Sequence, residues 1–181
     1  MAKKSKSSDK SVQKVFMVLA ALVSVALFVI GGLAFWAHSF TTTMVREELS
    51  AQKIYFPKAG APNFSEEDYP DLQKYAGQLV DNAEKAKAYA NGYIGAHIKD
   101  TADGKTYSEV STLARQNPDD ETLQQQRETL LQGETLRGIL LGTGYAFGTV
   151  GMIAGIAAWV LFGLGAALAV IAVYFAKKYY S

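Results

Sequence analysis

The residue types that carry most enzyme chemistry are scarce in this chain. It has no cysteine, which removes disulfides, thiolate metal sites and cysteine nucleophiles. Its two histidines are His38 and His97. His97 falls on a helix face with Ala90, Tyr93 and Ile94, where a lone imidazole reads as a hydrogen-bonded packing residue. A metal site would need His97 together with carboxylates of the acidic loop. Carboxylates gather at Glu47/Glu48, at Glu66/Glu67/Asp68 and at Asp119/Asp120/Glu121. The last group suits a helix start and the second a solvated loop before Pro70. Acid–base work would require a pocket that shifts one pKa. Residues 66–71 lack the alternating ligands and sixth-position glycine of an EF-hand loop. No nucleophile elbow and no phosphate-binding P-loop occurs. The expectation is a chain with no catalytic residue, no cofactor and no metal.

The elements around these residues are apolar helices. Residues 138–176 carry no charge, a run well beyond the ~20 residues that span a bilayer. Steps of four and three from Gly144 pass through Gly148, Gly151, Gly155, Ala158, Phe162, Gly165, Ala169, Ala172 and Ala176. That period stays on one helix face. One side of this helix is therefore nearly bare backbone, and close backbone approach is what drives helix pairing in lipid. A first apolar segment, residues 15–37, spans roughly 34 Å as a helix. It is too long for a signal-peptide core, lacks an A-x-A site and reads as an uncleaved anchor. It has its own small stripe, Ala20, Ser24, Gly31 and Ala34, interrupted by Leu27. The first helix is thus the simplest partner of the last, with another subunit as the competing choice. Ser24, Thr143 and Thr149 are the main polar groups of these segments, too few for a transport path.

Charge sets the orientation. The formal net charge is +1. Lys3, Lys4, Lys6, Lys10 and Lys14 precede the first apolar segment, and Lys177 and Lys178 follow the last. Residues 38–137 hold more Asp and Glu than Lys and Arg. A nucleic-acid binder would concentrate positive charge on its folded part, so this class is excluded. Basic flanks place both termini in the cytoplasm of a multi-pass plasma-membrane protein. The expected organisation is a disordered tail over 1–14, a transmembrane helix over 15–37 and an extracytoplasmic helical domain over 38–138. A long apolar helix over 139–176 follows, crossing the membrane at about 151–175, and then a cytoplasmic tail over 177–181. Trp36 and His38 fall at the outer interface, and Tyr174 to Tyr180 anchor the inner one.

Within the domain, residues 41–56 read as a short helix capped by threonines. Helices are expected over about 70–79, from Asp81 or Asn82 to Lys99, and from a Thr106/Glu109 capping box to Arg115. Asn117-Pro118 reads as the N-cap and first position of the last helix, with bends at Gly133 and Gly138. No strand pattern stands out.

Four stretches, VREELSAQKIYFP (45–57), YAGQLVDNAEKAKAYAN (75–91), KTYSEVS (105–111) and GETLRGILL (133–141), resemble a family of actinobacterial two-span membrane proteins. Members often carry the label aromatic ring-opening dioxygenase. The resemblance implies two spans with a helical extracytoplasmic domain between them, in the plasma membrane of a high-GC Gram-positive organism. Ring-opening chemistry uses a non-haem iron, typically on two histidines and a carboxylate. His38 and His97 would have to converge for that, with His38 held at the bilayer surface. The expected fold is therefore all-α, with two transmembrane helices and a small helical outer domain. The expected function is non-enzymatic: a structural or accessory subunit that packs through its Gly/Ala face. Its partners would be the lipid bilayer and other membrane subunits, or itself. In an actinobacterium the respiratory supercomplex is one candidate assembly. The alternative is an envelope binding or sensing module whose outer domain holds a lipid, wall component or protein.

Overall fold

The structure is a computed structural model that describes the backbone of residues 2–180 and the side chains of residues 10–180. The protein is all-helical, with two helices long and apolar enough to cross a membrane. Its order is α1 (Ala2–Ala51), a 3-10 segment (Pro70–Tyr75), α2 (Ala83–Lys87), a π-helical stretch (Ala88–Ile94), α3 (Gly95–Thr101), α4 (Tyr107–Gln116), α5 (Glu121–Ile139), a second π-helical stretch (Leu140–Ala146) and α6 (Phe147–Tyr180). The chain divides into two compact units, one of residues 1–40 with 151–181 and one of residues 41–150. The first is called the apolar pair below and the second the helical unit.

Several boundaries differ from expectation. Residues 2–14 are helical rather than disordered: the lysines and serines extend α1 without a proline or glycine to stop it. Once a helix is nucleated, each added residue gains a hydrogen bond at little cost. Thr41 to Thr43 do not begin a helix, because α1 runs through them to Ala51, and Thr41 is buried. The chain then leaves the helix at Lys53, which has φ 53°. The start of α5 also moves. Asn117 closes α4, donating its backbone N–H to the Leu113 carbonyl, and Asp120 is the N-cap, accepting from the Leu123 amide at 3.0 Å. An aspartate one residue before Glu121 competes well with Asn117 for that role. The Thr106/Glu109 capping box is present as drawn from the sequence.

The helical unit is built on an aromatic cluster. Phe56 and Phe64, both fully buried, come from the irregular segment between α1 and α2. Phe56 stacks on Tyr75 at 5.2 Å and meets Tyr89 edge-on at 5.1 Å, and Phe64 stacks on Tyr69 at 5.4 Å. Backbone bonds from Phe56 to Gln78 and from Val80 to Ile54 clamp the ends of the segment, with one antiparallel bridge between Tyr55 and Leu79. The Gln73 side-chain amide donates to the carbonyls of Phe64, Ser65 and Tyr69, so the loop turns around one polar group. Burying such rings contributes more than any other residue type and locks the loop without regular structure.

Candidate functional site

Two places hold the residues singled out by sequence. The first is the seam of the apolar pair, where α1 and α6 run antiparallel. Phe16 faces Phe175, Phe28 faces Phe162, and Phe35 faces Trp159, with ring centres 6.1, 6.1 and 6.4 Å apart. Between these rings the small residues meet. A side chain on Gly31 would lie 2.8 Å from the Phe162 ring, so this glycine is the notch that receives Phe162. A Cβ on Gly165 would sit 3.3 Å from Phe28. Ser24 is buried and donates its hydroxyl to the Gly165 carbonyl at 2.8 Å. Gly151, Gly155, Ala158 and Ala172 are buried on the same face, while Ala20, Ala34 and Ala169 are half-buried.

His38 also joins this seam. Its Nδ1 lies 2.8 Å from the Gly151 carbonyl. A carbonyl only accepts, so Nδ1 carries the proton, which fixes the tautomer. A Cβ on Gly155 would come within 2.7 Å of the same nitrogen, so the imidazole occupies the space that the glycine leaves. The signal was present in the sequence: His38 is the next step of four after Ala34.

Gly144 and Gly148, the first two members of the stripe, belong to the helical unit. Added side chains there would collide with Ala86 at 2.8 Å and with Ala83 at 2.7 Å, and Leu49 and Val45 complete the contacts. The stripe on the last helix is therefore filled by the chain's own residues in both units.

The second place is a cleft of about 590 Å³ in the helical unit, between the Tyr69 loop, the first π stretch, α3 and α5. That is within the ~300–1,000 Å³ of ligand pockets. Tyr69 and Tyr93 form one wall, with ring centres 5.5 Å apart, and Asn63 donates to the Tyr93 hydroxyl at 2.8 Å. Ile94, Ile98 and Leu136 supply apolar surface, and Asp68, Thr129 and Gln132 polar groups. His97 lies here, exposed rather than packed into the core. The reason is the π stretch. The buried positions Ala86, Ala90, Ile94 and Ile98 are spaced by four, which overshoots an α-helical turn by about 40° each time. Wider i→i+5 turns absorb the drift and rotate His97 outward. Arg137 of α5 braces this stretch: its Nε donates to the Ala90 carbonyl at 3.1 Å and its Nη2 to the Asn91 side chain at 3.2 Å, while Glu134 holds its Nη1.

Burial raises the phenol pKa of Tyr69, Tyr89 and Tyr93 above its usual value. For Tyr69, burial comes first, and the Tyr93 phenol and the Asp100 and Asp68 carboxylates add to it. These groups therefore stay protonated across the physiological range.

The donor set does not fit a non-haem iron. His38 is committed to Gly151 in the apolar pair, and His97 faces the cleft of the helical unit. Among the described residues no three His, Cys, Asp or Glu side chains gather where they could hold a metal ion. No family model, no curated protein and no solved structure matches this chain.

Proposed function

We propose that the chain is a non-enzymatic integral membrane protein, a structural or accessory subunit of a larger membrane assembly. In this reading α1 and α6 cross the plasma membrane, both termini are cytoplasmic and residues 41–150 stand outside. The respiratory supercomplex of an actinobacterium is the specific candidate. The observation that carries the reading is the self-filled seam. Two helices that satisfy each other through glycine, alanine and one buried serine make a complete hairpin. Their outer faces then carry many large apolar groups, with Trp36 65% and Trp159 69% exposed, available to lipid and to neighbouring subunits. Purification in mild detergent followed by native electrophoresis and mass spectrometry tests it. Co-migration with a defined set of membrane subunits is expected, and a lone monomer with no co-purifying chain sinks the reading.

The cleft favours a second reading, an envelope module whose outer domain holds a ligand. Full-length protein in nanodiscs should then retain an envelope lipid or wall fragment through gel filtration. Protein recovered with no such molecule above the level of an empty nanodisc counts against it.

A further inference from the structure

We propose that the cleft beside Tyr69 and Tyr93 receives an arginine side chain presented by an extended segment of a partner protein. This rests on the accessory-subunit reading and names the chemistry of its contact.

Three features converge. The ring faces of Tyr69 and Tyr93 meet at 51° in the wall of the cleft. Aromatic faces attract cations, and guanidinium groups stack on them most readily. Asp68 stands at the same wall, its Oδ2 accepting from the Ser65 hydroxyl at 2.6 Å, which leaves Oδ1 for an incoming donor. Asp100 adds negative potential from nearby, felt at the Tyr69 phenol. Among the described residues neither carboxylate has an ion-pair partner, and no lysine or arginine lines the cleft.

The apolar floor of Ile94 and Leu136 suits the methylene stem of an arginine, whose charged head would reach the rings and carboxylate. Thr129 and Gln132 on the opposite wall can pair with the backbone of the segment that carries it. An acyl chain would leave these polar groups unmatched. The π stretch strengthens the case. It places Tyr93 and Ile94 in the cleft, and π turns are frequent at functional sites.

The test uses full-length protein in nanodiscs with ¹³C-labelled tyrosine rings. The probe is the peptide acetyl-Ser-Gly-Arg-Gly-Ser-amide, with its glutamine counterpart as control. Saturable shifts of the Tyr69 and Tyr93 resonances are expected with the arginine peptide alone. Asp68→Asn should weaken binding about fivefold. Tyr93→Phe, which keeps the ring face, should stay within about twofold, and Tyr93→Leu should abolish the shifts while the helical circular dichroism is unchanged. Equal shifts with the glutamine peptide, or none with either, overturn the proposal. So does a Tyr93→Leu variant that binds as well as the parent. Co-purification separates this failure from that of the underlying reading. Partner subunits that still co-purify with Asp68→Asn and Tyr93→Leu at parental levels would keep the accessory role and remove the cleft from it. Peptide binding by a chain that runs alone would do the reverse.

Discussion

The apolar pair and the helical unit are held together by opposite means. In the pair, contact is made where side chains are missing: Gly31, Gly155 and Gly165 let a ring, an imidazole and a backbone come close. In the helical unit, contact is made by the largest side chains available, with Phe56, Phe64, Tyr69, Tyr75, Tyr89 and Tyr93 filling the middle. The difference follows from what each region must displace. Burial from water rewards large apolar groups by about 25 cal/mol per Å². If the pair lies in lipid as proposed, two helices already covered in leucine and valine gain nothing from more of the same and gain by fitting closely. Glycine notches and aromatic rings occur in both units, but the pair leans on close approach and the helical unit on a buried ring cluster.

Substitutions that exchange the two strategies should show the contrast. The largest effect is expected from Phe64→Ala, which empties the centre of the ring cluster. It should cost about 4 kcal/mol of stability in the helical unit, read as loss of near-ultraviolet circular dichroism at lower denaturant. Little change there would mean that the loop is not held by its rings. Gly155→Leu comes next. It forces His38 off the Gly151 carbonyl and should cost about 2 kcal/mol. The native chain has no cysteine, so a pair introduced at Phe16 and Phe175 reports on the seam. Disulfide formation between them should slow in Gly155→Leu and remain fast in Gly163→Leu, since a side chain at Gly163 meets nothing within 4 Å. Equal rates in the two would break the comparison.

Ser24→Ala tests the polar bond in the seam and should cost only about 0.6 kcal/mol, measured as the shift in detergent-induced unfolding. The smallest effect is a pH dependence. The Thr106 amide and hydroxyl donate to Glu109 at 2.7 and 2.8 Å and hold its carboxyl below the usual 4.5. A depressed folded-state pKa gives stability that is complete above pH 4.5 and fades as pH falls through the folded value. Glu109→Gln should flatten this part of the acid profile of the helical unit and leave the neutral plateau slightly lower. A profile unchanged by the substitution would show that the capping box is not what titrates.

The seam was legible because its code is periodic. Small residues at steps of four and three need only counting, and Gly31, Ser24 and Gly165 fall where that count puts them. Thr41 lies on the same steps but resembles a boundary, because a run of threonines reads as a helix cap. The aromatic core was not legible. Phe56 and Phe64 sit among prolines and glycines, where no period exists, and the bonds that fix their loop come from Gln73 and from backbone far along the chain. The cleft was missed for a related reason. Its walls come from a loop, a π stretch and α5, which meet only in three dimensions, and the spacing of four at Ala86, Ala90, Ile94 and Ile98 was a faint mark of the π turns.

Those π turns have a consequence for how the chain can change over generations. A π-helical stretch is an α-helix with a residue added and kept. Removing one residue between Ala88 and Ile94 would restore the ordinary ladder without unfolding it. The buried positions downstream would keep their register, because the wide turns had absorbed the extra residue. Tyr93 would leave the cleft wall, and the Ala90 carbonyl would move away from Arg137. Single-residue deletions are usually tolerated in loops and ruinous in helices. Here a helix carries a spare residue, so a deletion would spare the fold and erase the cleft.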